Sequence, residues 1–221
     1  MFAGCLSSSR DPGLRRDDGA MSGVALIDYG AGNLQSVFNA LKAAGASDIA
    51  VTSDPAEVLA GKRIVLPGVG AFAHCMGALS AIPGMVEALN EAVMEKRRPF
   101  LGICVGMQLM ADEGREHGVT KGLGWISGNV SAIAPAPGLK VPHMGWNDVV
   151  PTVPHPVLER GEAYFLHGYA FEGGRIIATT DHGGQRVAAI GRDNMIGVQF
   201  HPEKSQAYGI ATLQRFLKWR P

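Results

Sequence analysis

Apolar residues in the first half of the chain alternate between short continuous runs and helical spacing. Four runs are predominantly apolar and are followed by turn or polar residues, a pattern typical of strands buried in a sheet. These runs are VALIDYG (24–30), IAVT (49–52), RIVLPG (63–68) and PFLGI (99–103). A predicted helix follows each run. The first has helical spacing at Leu34, Val37, Phe38 and Leu41, the second has a helix-start signal at Asp54-Pro55, and the other two cover 85–97 and 105–110.

This regular alternation of strand and helix predicts an α/β fold with a mainly parallel sheet. After about residue 120 the pattern changes to shorter strands and turns. The predicted strands there are WISGNVSAI, HMGWNDVV, AYFLHGYAF, RIIATTD, RVAAIGRD and NMIGVQF, and helical spacing returns from Gly209. No linker separates the halves, so we expect one α/β domain over 22–221, with a mainly parallel mixed sheet flanked by helices and an antiparallel-rich second half.

The first segment of the chain differs from the rest. Residues 1–21 lack hydrophobic periodicity and mix both signs of charge before a second methionine, Met21. We interpret them as an upstream start or a disordered arm, because three aspartates argue against a transit peptide and the apolar start is too short for a signal peptide.

Charge and cysteine content narrow the function classes. Lys plus Arg and Asp plus Glu are balanced at 20 each, which does not favour a nucleic acid or a charged membrane as partner. No apolar run approaches the length needed to cross a bilayer. The three cysteines are few and widely spaced, which indicates a reducing, cytoplasmic location without a disulfide framework. We expect neither a metal nor a cofactor.

The segment GICVG (102–106) is the first candidate for chemistry. Its form, G-x-C-x-G, matches with cysteine the nucleophile elbow, a sharp strand-to-helix turn that needs glycine on both sides. Such a turn would place Cys104 at a helix N-terminus, which favours a thiolate. The pattern alone leaves two interpretations open, a nucleophile or a small buried hydrophobe.

A base and an orienting carboxylate follow another predicted strand. In GVQFHPEKS (197–205), His201 comes after the run 196–200, and Glu203 can accept a hydrogen bond from its second ring nitrogen. The alternative is that His-Pro simply ends a strand. PGVG (67–70) is a third element, because a glycine-rich loop that ends a strand in Val69-Gly70 can turn a backbone N–H toward a developing negative oxygen. The N–H of Val105 is the second natural donor.

Together, LPGVGAF, LGICVGMQLM and GVQFHPEKS resemble the class I (triad) glutamine amidotransferases over essentially all of 22–221. The resemblance implies a glutaminase that releases ammonia through a cysteinyl thioester. Cys104 would attack the amide, His201 would move the proton and Glu203 would orient His201. Gln108 would hold the substrate, which Gly68, His167, Gly168 and Tyr169 would also border, and Val69 would supply an oxyanion donor.

Four further segments resemble one branch of the class, whose glutaminase passes ammonia to a cyclase partner in histidine biosynthesis. They are IDYGAGNLQSV, VPHMGWN, YFLHGYA and HPEKSQ. The expected partner contacts are Asn33, Met144, Trp146 and Lys204. Other interpretations remain for each: a helix cap for Asn33, a partly buried aromatic–methionine cluster for Met144 and Trp146, and a solvated lysine. A glutaminase serving another synthase, or a binding module without activity, are the alternative functions.

Overall fold

The computed structural model describes residues 23–221. The interpretation of residues 1–21 as an upstream start or a disordered arm therefore lies outside the described residues.

The first half of the chain forms alternating strands and helices, as the apolar pattern predicts. The strands are β1 (Val24–Ile27), β2 (Ile49–Thr52), β3 (Arg63–Gly68) and β4 (Phe100–Cys104). The helices are α1 (Leu34–Ala43), α2 (Pro55–Ala60), α3 (Phe72–Ala81), α4 (Met85–Asn90), which continues as a π-helical turn (Glu91–Glu95), and α5 (Val105–Gln108).

The second half is built mainly of strands. These are β5 (Glu113–Gly114), β6 (Thr120–Lys121), β7 (Gly128–Ala132), β8 (His143–Pro151), β9 (Gly161–His167), β10 (Tyr169–Gly173), β11 (Ile176–Asp181), β12 (Gln185–Arg192) and β13 (Met195–Val198). A 3₁₀ turn (Pro202–Lys204) and α6 (Gln206–Lys218) follow.

One mixed sheet organises the described residues. It has nine strands in the order β2-β1-β3-β4-β13-β12-β11-β8-β9. The pairs from β2 to β13 are parallel, and those from β13 to β9 are antiparallel. The predicted mixed α/β sheet with an antiparallel second half is therefore confirmed. Every residue of β1, β4 and β13 is buried, as expected for strands covered on both faces.

A second sheet was not predicted. It has four strands in the order β10-β7-β5-β6. The stretch AYFLHGYAF, taken as one strand in the sequence, divides at Gly168 into β9 of the large sheet and β10 of the small one. The division brings the segment around Gly168 to the same edge of the molecule as the end of β4.

Helix starts follow local signals to different degrees. Asp54 caps α2 by accepting a hydrogen bond from the backbone N–H of Ala56, as its sequence predicts. Helix α3 was missed, because its start directly follows the glycine-rich turn after β3. It buries Phe72, Cys75 and Leu79 against the core.

None of the helices within 23–221 is by itself long and apolar enough to cross a membrane. Only α3 taken together with α4 and its π-helical turn passes on length and composition, and that pair is bent by 99°.

Candidate active site

Cys104 occupies a strained turn between β4 and α5. Its backbone has φ 53° and ψ −111°, a conformation that residues with a Cβ rarely adopt. A Cβ on Gly106 would lie 1.9 Å from the carbonyl oxygen of Leu66, and one on Gly102 would lie 2.6 Å from that of Gly106. The glycines of GICVG are thus required for β3, β4 and α5 to pack this closely around Cys104.

The sulfur of Cys104 lies among three polar groups. Its thiol faces the carbonyl oxygen of Leu166 at 3.8 Å, and the side-chain amide of Gln199 donates to it at 3.8 Å. His201 lines the same cavity and is close enough to the sulfur for the two groups to interact electrostatically. The side chain is only 3% exposed, so these groups, rather than bulk water, surround the sulfur.

His201 is held by Glu203. Its Nδ1 donates to Glu203 Oε1 at 2.8 Å, and both side chains are 2% exposed. Burial alone lowers the pKa of His201, but its hydrogen bonds to Cys104 and Glu203, and the negative charge of these partners, outweigh burial and raise that pKa to about 10. The arrangement favours the protonated imidazolium form of His201 beside the sulfur.

His201 reaches this position by a different route from the predicted one. Strand β13 ends at Val198, so Gln199 and Phe200 separate the strand from His201. The chain turns there because the N–H of His201 donates to the carbonyl of Tyr164 on β9, at 2.9 Å. The prediction that His201 directly follows a strand over 196–200 is therefore wrong by two residues.

The PGVG segment packs against the turn at Cys104. Gly68 lies beside Cys104 in the parallel register, and a Cβ there would come within 2.7 Å of the N–H nitrogen of Gly106. The Tyr29 hydroxyl donates to the carbonyl of Pro67 at 2.7 Å, and the Cys75 thiol donates to that of Val69 at 3.3 Å. These bonds turn the two carbonyls into the protein.

A cavity of about 140 Å³ opens above Cys104. It is lined by residues from both halves of the chain: Val69, Gly70, Cys104, Val105, Gln108, Glu116, Leu166, His167, Gly168, Tyr169, His201 and Lys204. The structure thus brings most of the predicted site residues together. Gly68 and Glu203 are not in the lining, since one lies beneath the turn and the other behind His201.

Gln108 is fixed by two acceptors. Its side-chain amide nitrogen donates to the carbonyl of Tyr169 at 3.1 Å and to Gln199 Oε1 at 3.0 Å. With both N–H groups engaged, its carbonyl oxygen is the group left to accept from a ligand.

Three residues of the site were missed in the sequence. Leu166 and Glu116 line the cavity, and neither carries a local signal in the sequence. Gln199 is fully buried beside Cys104. Its signal was present, as the one polar side chain in the apolar run MIGVQF.

The residues predicted to contact a partner differ in exposure. Met144 is 66% and Trp146 48% exposed on β8, so they do not form the partly buried cluster that was the alternative. Lys204 lines the cavity, and its Nζ lies 5.8 Å from the ring centre of Tyr164. Asn33 immediately precedes α1, but within residues 23–221 its side chain accepts no hydrogen bond from the first turn of that helix. This disfavours the interpretation of Asn33 as a helix cap.

Comparisons with known proteins find relatives over most of this chain. The family model described as "Glutamine amidotransferase class-I" matches residues 25–218. The chain is 62% identical over 209 residues to the imidazole glycerol phosphate synthase subunit HisH of Zymomonas mobilis, covering 91% of this chain and 98% of that protein. The HisH subunit of Rhodopseudomonas palustris is 51% identical over 214 residues, covering 90% and 99%.

Solved structures share the fold at lower identity. A crystal structure of a glutamine amidotransferase has a TM-score of 0.70 at 18% identity, covering 89% of this chain and 98% of that one. PurLQS from Thermotoga maritima has a TM-score of 0.62 at 18% identity, covering 90% and 99%. From its family match and its identity to these relatives, the chain belongs to the class-I glutamine amidotransferase family.

Proposed function

We propose that this chain is the glutaminase subunit of an imidazole glycerol phosphate synthase of histidine biosynthesis. It would hydrolyse L-glutamine to glutamate and ammonia and pass the ammonia to a cyclase subunit. The observation that carries the chemistry is the placement of Cys104 against the His201–Glu203 pair at the base of one cavity. The choice of synthase rests on the 62% identity to a HisH subunit.

In the first half of the proposed reaction, the sulfur of Cys104 attacks the side-chain amide carbon of glutamine, after its proton has passed to His201. The carbonyl oxygen becomes negative in the tetrahedral intermediate. Backbone N–H groups of Val69, Gly70 and Val105 are the candidate donors to it, since all three residues line the cavity next to the sulfur. His201 then gives its proton to the departing ammonia, which leaves a thioester on Cys104.

In the second half, water attacks the thioester while His201 accepts its proton. The intermediate collapses to glutamate and regenerates the sulfur. Glu203 keeps His201 in one tautomer throughout, because its carboxylate accepts from Nδ1 and leaves Nε2 for the reacting groups.

Substrate binding falls to Gln108 and to the segment around Gly168. The carbonyl oxygen of Gln108 is oriented to accept a hydrogen bond from glutamine, because both of its N–H groups are held by the protein. His167, Gly168 and Tyr169 line the same cavity beside Gln108. Gly168 contributes main-chain groups only, so contacts there do not need a side chain.

The proposed partner docks over the cavity mouth. Met144, Trp146 and Leu166 are exposed apolar side chains on β8 and β9, and Leu166 also lines the cavity. Lys204 and Asn33 are further candidate contacts. Ammonia released into water at neutral pH is protonated and lost as a nucleophile, so a docked cyclase gives it a protected route. A cytoplasmic location fits such a biosynthetic pair.

The test measures glutamine hydrolysis by this chain alone and with a purified imidazole-forming cyclase subunit loaded with its nucleotide-derived substrate. We expect weak hydrolysis alone, strong activation by the loaded partner, and loss of both in Cys104→Ala. Activation by another synthase instead of the cyclase would reassign the partner. A wild-type chain that neither hydrolyses glutamine nor is labelled at Cys104 by a glutamine-analogue electrophile would contradict the enzymatic function.

A further inference from the structure

Gln199 joins two groups of the proposed site through one buried side chain. It follows β13 and is fully buried, two residues before His201. Its side chain contacts Gln108 on one side and the sulfur of Cys104 on the other.

The orientation of the Gln199 amide follows from its neighbours. Gln108 donates to Gln199 Oε1 at 3.0 Å, and its second N–H is directed to the carbonyl of Tyr169. Oε1 of Gln199 is therefore the acceptor, and its NH₂ group is the end that faces sulfur, at 3.8 Å. Hydrogen bonds thus run in one direction, from Gln108 through Gln199 to Cys104.

A negative sulfur at this position needs donors. The carbonyl oxygen of Leu166 lies 3.8 Å from it and can accept a thiol proton, but it repels the sulfur once that proton has gone. His201 lines the same cavity and can supply one compensating donor. Gln199 supplies a second from a different direction, and it does so without exchanging a proton.

The strand does not need this side chain for its own pairing. The backbone N–H of Gln199 donates to the carbonyl of Ala188 at 2.9 Å, which attaches the segment to β12. Burying a carboxamide is costly unless its polar atoms find partners, and both partners of this one are site residues.

We propose that Gln199 is a further catalytic residue of the reaction. It stabilises the anionic sulfur of Cys104 by N–H donation and, through its carbonyl oxygen, holds Gln108 in the orientation that receives glutamine. This inference rests on the proposed glutaminase function. It adds a residue that acts both on the nucleophile, Cys104, and on the substrate-binding residue, Gln108.

The test is Gln199→Met, which keeps the length of the side chain but removes both donor and acceptor. Two readouts are needed: hydrolysis kinetics in the complex with the cyclase subunit, and alkylation of the Cys104 peptide by iodoacetamide in the isolated chain, followed by mass spectrometry. We expect kcat and the alkylation rate each to fall about tenfold, because a hydrogen bond to a charged group is lost. KM should rise as well, since Gln108 loses an acceptor.

The matched control is Gln214→Met, the same substitution on the exposed face of α6, which should leave all three values unchanged. A Gln199→Met chain with a normal thermal unfolding curve, a normal alkylation rate and a normal kcat would overturn the proposal. A rise in KM alone, with normal alkylation, would overturn the contact with sulfur.

A second variant guards against a failure to fold. Gln199→Asn keeps a buried amide but withdraws it from the sulfur by one methylene, and the same slowing of alkylation is expected. The proposed function fails independently of these variants, namely if the wild-type complex does not hydrolyse glutamine or if Cys104→Ala retains hydrolysis.

Discussion

His143 donates a hydrogen bond from Nδ1 to Nε2 of His167, 3.2 Å away, and the groups at both ends fix this direction. Nδ1 of His167 lies 2.9 Å from the carbonyl oxygen of Tyr169, which can only accept, so that nitrogen carries the hydrogen. Nε2 of His143 lies 3.0 Å from the amide nitrogen of Asn147, which can only donate. Both rings are therefore neutral, each with a single tautomer.

This pair connects β8 to the cavity. The carbonyl of Tyr169 accepts a hydrogen bond from His167 and another from Gln108. The His143–His167 pair therefore helps to position the carbonyl that orients Gln108, the proposed substrate-binding residue. Met144 lies next to His143 in β8 but points outward. The same strand thus carries an exposed apolar face and a buried polar link to the site.

Replacing His143 with phenylalanine tests this link. Phenylalanine keeps a ring between Phe165 and His182, both of which stack on His143, but leaves Nε2 of His167 buried without a donor. We expect the free energy of unfolding to fall by about 1–3 kcal/mol and KM for glutamine to rise. His182→Phe, which keeps the stack from its outer side and gives up only an exposed hydrogen bond to the carbonyl of Lys140, is the control and should cost less than about 1 kcal/mol. Equal effects of the two substitutions would show that packing, not the hydrogen bond, matters.

Stability should fall in mild acid. Burial, together with the charge of its histidine neighbours, lowers the pKa of His143 to about 3. Burial also outweighs the hydrogen bond to Tyr169 and lowers the pKa of His167 to about 4. In the unfolded chain both have a pKa near 6.5, so between about pH 6.5 and 4 the unfolded state binds more protons, and stability decreases as pH falls.

Urea unfolding at several pH values measures this effect. The two histidines give the unfolding free energy a slope of up to about 2.7 kcal/mol per pH unit within that window. His143→Phe should remove the contribution of one proton and so reduce this slope by about half. His201 changes stability with pH in the opposite direction. Because its pKa is raised in the folded chain, its contribution to the unfolding free energy is lost as pH rises from about 6.5 toward 10. A stability that stays flat from pH 6.5 to 4 would contradict the neutral pair.

The first half of the fold was predictable because its signals are local. Buried parallel strands such as β1 and β4 are continuous apolar runs, and α2 has a capping aspartate followed by proline. The second sheet was not predictable, since β5 and β6 have two residues each and carry no period. The break at Gly168 depends on which strands pair across the molecule, which the local pattern does not encode.

The site divides in the same way. The glycines around Cys104 and the spacing of His201 and Glu203 are visible in sequence, because backbone turns and short-range hydrogen bonds impose them. Leu166 and Glu116 reach the cavity only through tertiary packing. Gln199 is intermediate, because a polar residue in an apolar run predicts a buried hydrogen bond but not its partners.

Two glycine substitutions test the packing of the turn. Gly106→Ala would place its Cβ 1.9 Å from the carbonyl oxygen of Leu66, a backbone atom that cannot move without displacing β3. We expect a loss of about 3 kcal/mol in the free energy of unfolding. Gly77→Ala on the exposed side of α3 meets no described atom within 4 Å and should stabilise by about 0.5–1 kcal/mol. Similar stabilities of the two variants would argue against this geometry.

The backbone strain at Cys104 predicts that the inactive variant Cys104→Gly is more stable than the inactive variant Cys104→Ala. At φ 53° and ψ −111°, a residue with a Cβ costs on the order of 1–3 kcal/mol, and glycine does not pay this cost. Glycine loses part of the gain through its freer unfolded chain. Cys104→Gly should therefore exceed Cys104→Ala in unfolding free energy by about 1 kcal/mol, measured by chemical denaturation. An alanine variant as stable as the glycine variant would mean that the turn is unstrained.

Trp146 provides the sharpest test of the docking face. It is 48% exposed on β8, and its ring meets that of Tyr164 edge to face, with centroids 6.2 Å apart. A large aromatic anchor held in this way is typical of residues that dominate binding energy. Trp146→Ala should raise Kd for the cyclase subunit by at least about tenfold in calorimetry, with little change in Tm because the ring faces solvent. Val153→Ala, 47% exposed beyond the other end of β8, is the matched control and should leave Kd unchanged. Equal affinities for the two variants would place the partner on another surface.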